Sequence, residues 1–178
     1  SFSGGDPLMA SDELFTWLVQ QIEAIPHVTR LRIPTRLPVV IPTRITPKLV
    51  EILSLSRLKA TMVLHINHSN EIDTSFVNAL EPLRAARIPL FNQSVMLKGI
   101  NDNAKTLISL CEKAFDNGIM PYYLHLFDPV QGAAHFDVKE ETAITIVKEM
   151  LSTLPGFLMP KLVREVAGQT NKTPINLA

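Results

Sequence analysis

The chain has 178 residues, 46% of them hydrophobic, and its 17 Lys and Arg are balanced by 17 Asp and Glu. That length and apolar content suit one ordinary domain able to bury a core, and zero net charge supplies no field to draw nucleic acid or an anionic membrane. No apolar run reaches the roughly 18–20 residues a bilayer span requires, and no basic flank followed by an apolar stretch opens the chain, so the expected place is the cytoplasm. The single cysteine, Cys111, excludes an internal disulfide and suits a reducing compartment.

In chain order, Ser3-Gly4-Gly5-Asp6-Pro7 reads as a sharp turn, since glycine enters positive φ without strain. Ser11 can cap a helix whose apolar positions Leu14, Trp17, Leu18, Ile22 and Ile25 follow helical spacing, with Asp12 and Glu13 at its positive end and Pro26 closing it. Residues 29–36, TRLRIPTR, read as a short strand. Pro34, Pro38, Pro42 and Pro47 predict one long, stiff, irregular connection, and Pro47 also starts a second helix through Leu49, Val50, Ile52 and Leu53. KATMVLHIN at 59–67 is a strand by its apolar run. Asp73 or Thr74 opens a third helix that turns Phe76, Val77, Leu80 and Leu83 inward, with Pro82 at a kink or in the last turn. A strand follows at 88–97, then a fourth helix that carries Leu107, Leu110, Cys111, Ala114 and Phe115 and stops at Asn117-Gly118. MPYYLHLF at 120–127 is a strand, 139–154 a fifth helix, and 156–166 a last extended segment.

Regular alternation of helix and strand predicts βαβ crossovers and a parallel sheet. The polar residues gather where strands end, at 35–36, 65–71, 92–94 and 125–129, which is where parallel α/β folds place their active sites. Four strands and one extended segment are too few to close an eight-stranded barrel, so the expectation is an open or partial one.

Several polar residues invite chemistry, and each has a plainer reading. His65 and His68 could ligate a metal if the loop between them turns; a polar ligand at the strand ends or a satisfied structural network are the alternatives. Asp128, flanked by His125 and His135 just past a strand, could hold a ligand ammonium. Lys172, in the polar stretch GQTNKTP, is either a solvated lysine or, if held in a site, a Schiff-base former. Cys111, between apolar neighbours, reads as core.

Taken together, Ser3-Gly4-Gly5-Asp6-Pro7, HINHSNE at 65–71, NQSVMLKGINDN at 92–103, PYYLHLFDPVQGAAHF at 121–136 and NKTP at 171–174 resemble the lysine 2,3-aminomutase family. The resemblance implies an α/β fold, a partial (β/α) TIM-like barrel of the radical S-adenosylmethionine type that lacks its first strand and cluster loop. It implies a single domain over 1–178, with the barrel portion running to about 136 and a helix plus lysine-bearing segment over 137–178. The activity it implies is conversion of L-lysine to β-lysine with pyridoxal phosphate, S-adenosylmethionine and a [4Fe-4S] cluster. Chain length and these motifs are most similar to the bacterial branch that supplies β-lysine for modifying elongation factor P. The oligomer it implies is a homo-oligomer.

Position by position, the resemblance puts Gly4, Gly5 and Asp6 at the turn that binds the amino end of S-adenosylmethionine, and His65 and Gln93 beside its nucleoside part. Lys172 matches the lysine that carries pyridoxal phosphate. Asp128 and Glu165 match the two groups that hold the substrate's side-chain ammonium; the second is aspartate in the clostridial enzymes, so Glu165 is one methylene longer. The family's cluster motif, C-x3-C-x2-C, is absent, so no cluster ligand is expected in this chain and the expectation is a C-terminal portion that is inactive alone. An aminomutase for another amino acid, a non-catalytic binding module for the same cofactors, and a metal-dependent aldolase or hydrolase using His65 and His68 are the alternatives.

Overall fold

A computed structural model describes residues 5–128, 133–166, 168–169 and 171–177. Among them six strands stand along the sheet in chain order: β1 (Arg30–Thr35), β2 (Lys59–Leu64), β3 (Leu90–Val95), β4 (Ile119–His125), β5 (Lys161–Arg164) and β6 (Thr173–Pro174). The chain divides into two compact units, one of residues up to 65 with 72–91, the other of 66–71 with everything from 92 onward.

In the first unit, Ser11 caps α1 (Asp12–Glu23), its Oγ accepting from the Leu14 N–H at 3.3 Å. The buried face of α1 is not the predicted one. Phe15 and Val19 are buried, whereas Leu14 and Trp17 are half exposed at 49% and 54%. Apolar residues spread around much of this helix, so spacing alone fits two adjacent faces and packing selects the one centred on Phe15. Arg57 closes the other end of α1 by donating to the carbonyls of Glu23, Ile25 and Val28.

The proline-rich stretch is ordered rather than irregular. Pro34 lies within β1, which ends the sheet order and pairs β2 in parallel from Arg30↔Lys59 to Thr35↔Leu64. Pro38 falls in the first turn of the short α2 (Leu37–Val40) and Pro42 opens a 3-10 turn, positions where a missing N–H leaves no bond unmade. Pro47 opens α3 (Pro47–Leu55), capped by Thr46. Asp73 caps α4 (Thr74–Ala85), Phe76, Leu80 and Leu83 face the core, and Pro82 sits in the last turn.

In the second unit, α5 (Ala104–Asp116) and α6 (Glu140–Leu151) cover one face of the sheet. Leu107, Cys111, Ala143, Val147 and Met150 pack there against Leu124 of β4, Leu162 of β5 and Ile175. Burying each of the larger side chains contributes about 1.5–3 kcal/mol. Burial also pushes the Cys111 thiol up to about 12, consistent with a core residue. β4 and β5 are parallel, with His125 beside Val163. β5 and β6 are antiparallel, Val163↔Pro174 and Arg164↔Thr173. The predicted extended segment thus becomes a 3-10 turn at Gly156–Leu158 followed by β5, and GQTNKTP adds β6, whose two residues are too few to show a period. Among the described residues no helix is long and apolar enough to cross a membrane.

Candidate active site

The sequence-predicted site residues fall into two groups, one in each unit. In the first, Gly5 has φ 125°, as the turn requires, and a Cβ built there would meet nothing within 4 Å. Conformation, not crowding, therefore selects glycine. Gly4 lies outside the described residues. Asp6 is saturated by donors: Oδ1 accepts from Leu8 N at 3.0 Å and Thr35 Oγ1 at 2.8 Å, and Oδ2 from Arg36 N at 2.7 Å and Leu37 N at 3.0 Å. Its carboxylate ties the Gly5 turn to the end of β1, so what the turn can offer a ligand is backbone. His65, just past β2, donates its N–H to Thr35 O at 3.0 Å, and its carbonyl accepts from Arg36 Nη1 at 2.9 Å.

In the second unit, the segment after β2 is tied down by amides and one carboxylate. Asn92 Oδ1 accepts from Ile66 N at 3.0 Å while its Nδ2 donates to Ile66 O at 3.1 Å and Ser94 Oγ at 2.9 Å. Glu71 Oε1 accepts from the N–H groups of Asn67 and His68, and His68 Nδ1 accepts from Asn70 N at 3.1 Å. The HINHSNE stretch is thus a self-capped turn, and no group of three His, Cys, Asp or Glu among the described residues is placed to hold a metal. Strand alternation leaves Asn92 and Ser94 buried and puts half-buried Gln93 on the opposite face of β3.

Asp128, Glu165 and Lys172 come together. Asp128 and Glu165 line one cleft of about 170 Å³ with Leu126, Phe127 and Arg164. Lys172 Nζ donates to Glu165 Oε1 at 2.5 Å. That bond, then the lysine's charge, holds the Glu165 carboxyl below the usual carboxylate range. Tyr123, which the sequence reading passed over, puts its ring centroid 5.7 Å from Lys172 Nζ. Arg164, in the cleft wall, pairs with Glu140. Alternation could have found Tyr123: it lies two residues from His125 on β4 and shares its face.

No family model matches the chain. It is 54% identical over 176 residues to the L-lysine 2,3-aminomutase of Escherichia coli K12, covering 99% of this chain and 52% of that protein. Over almost its whole length the chain is similar to lysine 2,3-aminomutases. It spans about half the length of the curated relatives it matches. Among solved structures it is similar to a domain of pyruvate-formate lyase-activating enzyme from Bacteroides vulgatus, with TM-score 0.60 and 10% identity over 93% of this chain and 97% of that one. It is also similar to a radical SAM methyltransferase from Sphaerobacter thermophilus, with TM-score 0.53 and 9% identity over 75% of this chain and 40% of that one. These likenesses give the fold: the chain adopts the partial (β/α) barrel expected from its motifs.

Proposed function

We propose that the chain is the C-terminal portion of an L-lysine 2,3-aminomutase, the isomerase that moves the α-amino group of L-lysine to the adjacent carbon. The observation that carries this reading is the cleft in which Asp128 and Glu165 stand together, with Glu165 holding a primary ammonium. A substrate side-chain ammonium is the same chemical group, and two carboxylates favour it over a neutral or anionic tail.

Lys172 is assigned the pyridoxal phosphate link, and the Gly5 turn, Asp6, His65 and Gln93 the S-adenosylmethionine. The residues suit both groups. Lys172 is 22% exposed beside an aromatic ring, reachable by a planar aldehyde, and open space beside Gly5 lets a ligand approach the backbone. When bound, these cofactors supply radical generation and its stabilisation, which no side chain here can. The iron–sulfur cluster does not suit this chain: its one thiol is buried in the core, so the ligands are assigned to sequence outside these residues.

The chain's own contribution is placement. Asp128 and Glu165 fix the far ammonium and thereby the distance at which the substrate's reacting carbons sit; orientation of this kind accounts for much of an enzyme's rate. Glu165 is one methylene longer than aspartate, and its longer arm ends on Lys172. The resemblance to the short bacterial branch supports elongation factor P modification as the use of the product, in the cytoplasm and by a homo-oligomer.

The test uses the intact gene product, reconstituted anaerobically with iron, sulfide, pyridoxal phosphate and S-adenosylmethionine. It should form β-lysine from L-lysine, and D128N and E165Q should each raise KM for lysine about tenfold or more. Absence of β-lysine, or an unchanged KM in both variants, would overturn the reading.

A further inference from the structure

Lys172 Nζ meets two different groups. Glu165 Oε1 accepts from it at 2.5 Å, and the Tyr123 ring centroid lies 5.7 Å away. Tyr123 is in turn set edge-on to His125, ring centroids 5.8 Å apart at 73°, and half-buried between neighbours on β4. A carboxylate paired with an aromatic face is the combination that recognises an ammonium: the first supplies charge and an acceptor, the second a quadrupole that excludes anions.

We propose that Tyr123 and Glu165 form one ammonium cage, filled by the chain's own Lys172 when no cofactor is attached and by the distal ammonium of a primary amine substrate once Lys172 is engaged elsewhere. The Lys172 ammonium and the substrate ammonium then compete for a single place, and cofactor attachment, by drawing Lys172 away, opens it to the substrate. Freeing Lys172 from Glu165 is what makes room for the ligand, and Tyr123 becomes a specificity-determining residue alongside the two carboxylates. The substrate's place in the cage rests on the proposed function; the cage itself rests on the contacts above.

Three residues define the test. In the full chain, acetic anhydride at fixed pH acetylates accessible amines: the amine nitrogen attacks a carbonyl, acetate leaves and the proton goes to water. Labelling of Lys172, counted by mass spectrometry against exposed Lys139 in the same molecules, should be about two- to fivefold higher in Y123L and E165Q than in the parent. Y123F, which keeps the ring face and loses only the hydroxyl, should behave as the parent, which assigns the contact to the ring rather than to the phenol oxygen. Equal labelling in all four would overturn the proposal. Propylammonium should bind K172M and K172M/Y123F more tightly than the parent, and K172M/Y123L no better than the parent; equal affinity of parent and K172M would overturn it too. Separately, pyridoxal phosphate followed by borohydride reports cofactor attachment. If Lys172 stays unmodified there while the labelling order holds, the cage stands and the cofactor assignment falls; the reverse pattern removes the cage alone.

Discussion

Glu165 stands opposite Lys172, one register step beyond the last pair of the β5–β6 ladder, in which Val163 faces Pro174 and Arg164 faces Thr173. The contact is therefore a cross-strand ion pair set by backbone pairing. Its partner's hydrogen bond lowers the Glu165 carboxyl, so the pair contributes stability above the ordinary carboxylate pH and loses it as pH falls through the lowered value. The group is mostly exposed, which keeps that contribution near 0–1 kcal/mol, roughly the surface-pair range. A carbon-detected NMR titration should show Glu165 ionising below an ordinary glutamate and returning upward in K172M; an ordinary midpoint in the parent would show the pair absent in solution.

Asp6 is a clamp whose loss should be costly. Asp6→Ala leaves the Leu8, Arg36 and Leu37 N–H groups and the Thr35 hydroxyl without their shared acceptor, at about 2–3 kcal/mol after partial rescue by water. Urea unfolding should register that loss as a lower midpoint with an unchanged slope. A loss under about 0.5 kcal/mol would mean that solvent satisfies these donors equally well.

Asn92 is buried and serves both peptide groups of Ile66 as well as Ser94. Removing its amide in Asn92→Ala strands an N–H and a carbonyl away from water and opens a small void, together about 2–4 kcal/mol. Asn92→Asp should cost a similar amount, because a carboxylate cannot donate to Ile66 O. Thermal melts of both variants check this, and a melt unchanged in Asn92→Asp would refute the donor role.

Arg87 takes φ 56° just past α4, and its N–H and that of Ile88 bond back to Arg84 O and Leu83 O. This is a helix-terminating turn at the position glycine usually fills. Arg87→Gly should accordingly stabilise the chain by up to about 1 kcal/mol, seen as a rise in urea midpoint. A fall in midpoint would show that the arginine side chain outweighs its backbone strain.

Much of the fold was readable because its signals are local. Ser11 and Asp73 each cap a helix with a side-chain oxygen, and Pro47 opens one at its first position, as their places before apolar helical runs predict. Where the reading failed, the deciding physics was not local. The face of α1 depends on what packs against Phe15, and the prolines between Pro34 and Pro47 are tolerated because of edge and first-turn positions that only the assembled strand order reveals. Asp128, Glu165 and Lys172, singled out by the family resemblance, lie near one another: the two carboxylates line one cleft and the lysine bonds to Glu165. Tyr123 was not singled out, since an aromatic residue within a strand looks like core until its ring is seen facing an ammonium.

Because backbone pairing sets Lys172 against Glu165, the separation of amine and carboxylate is a matter of register: a slip of one residue between β5 and β6 would turn Lys172 to the other face of the sheet and leave Glu165 facing a different side chain.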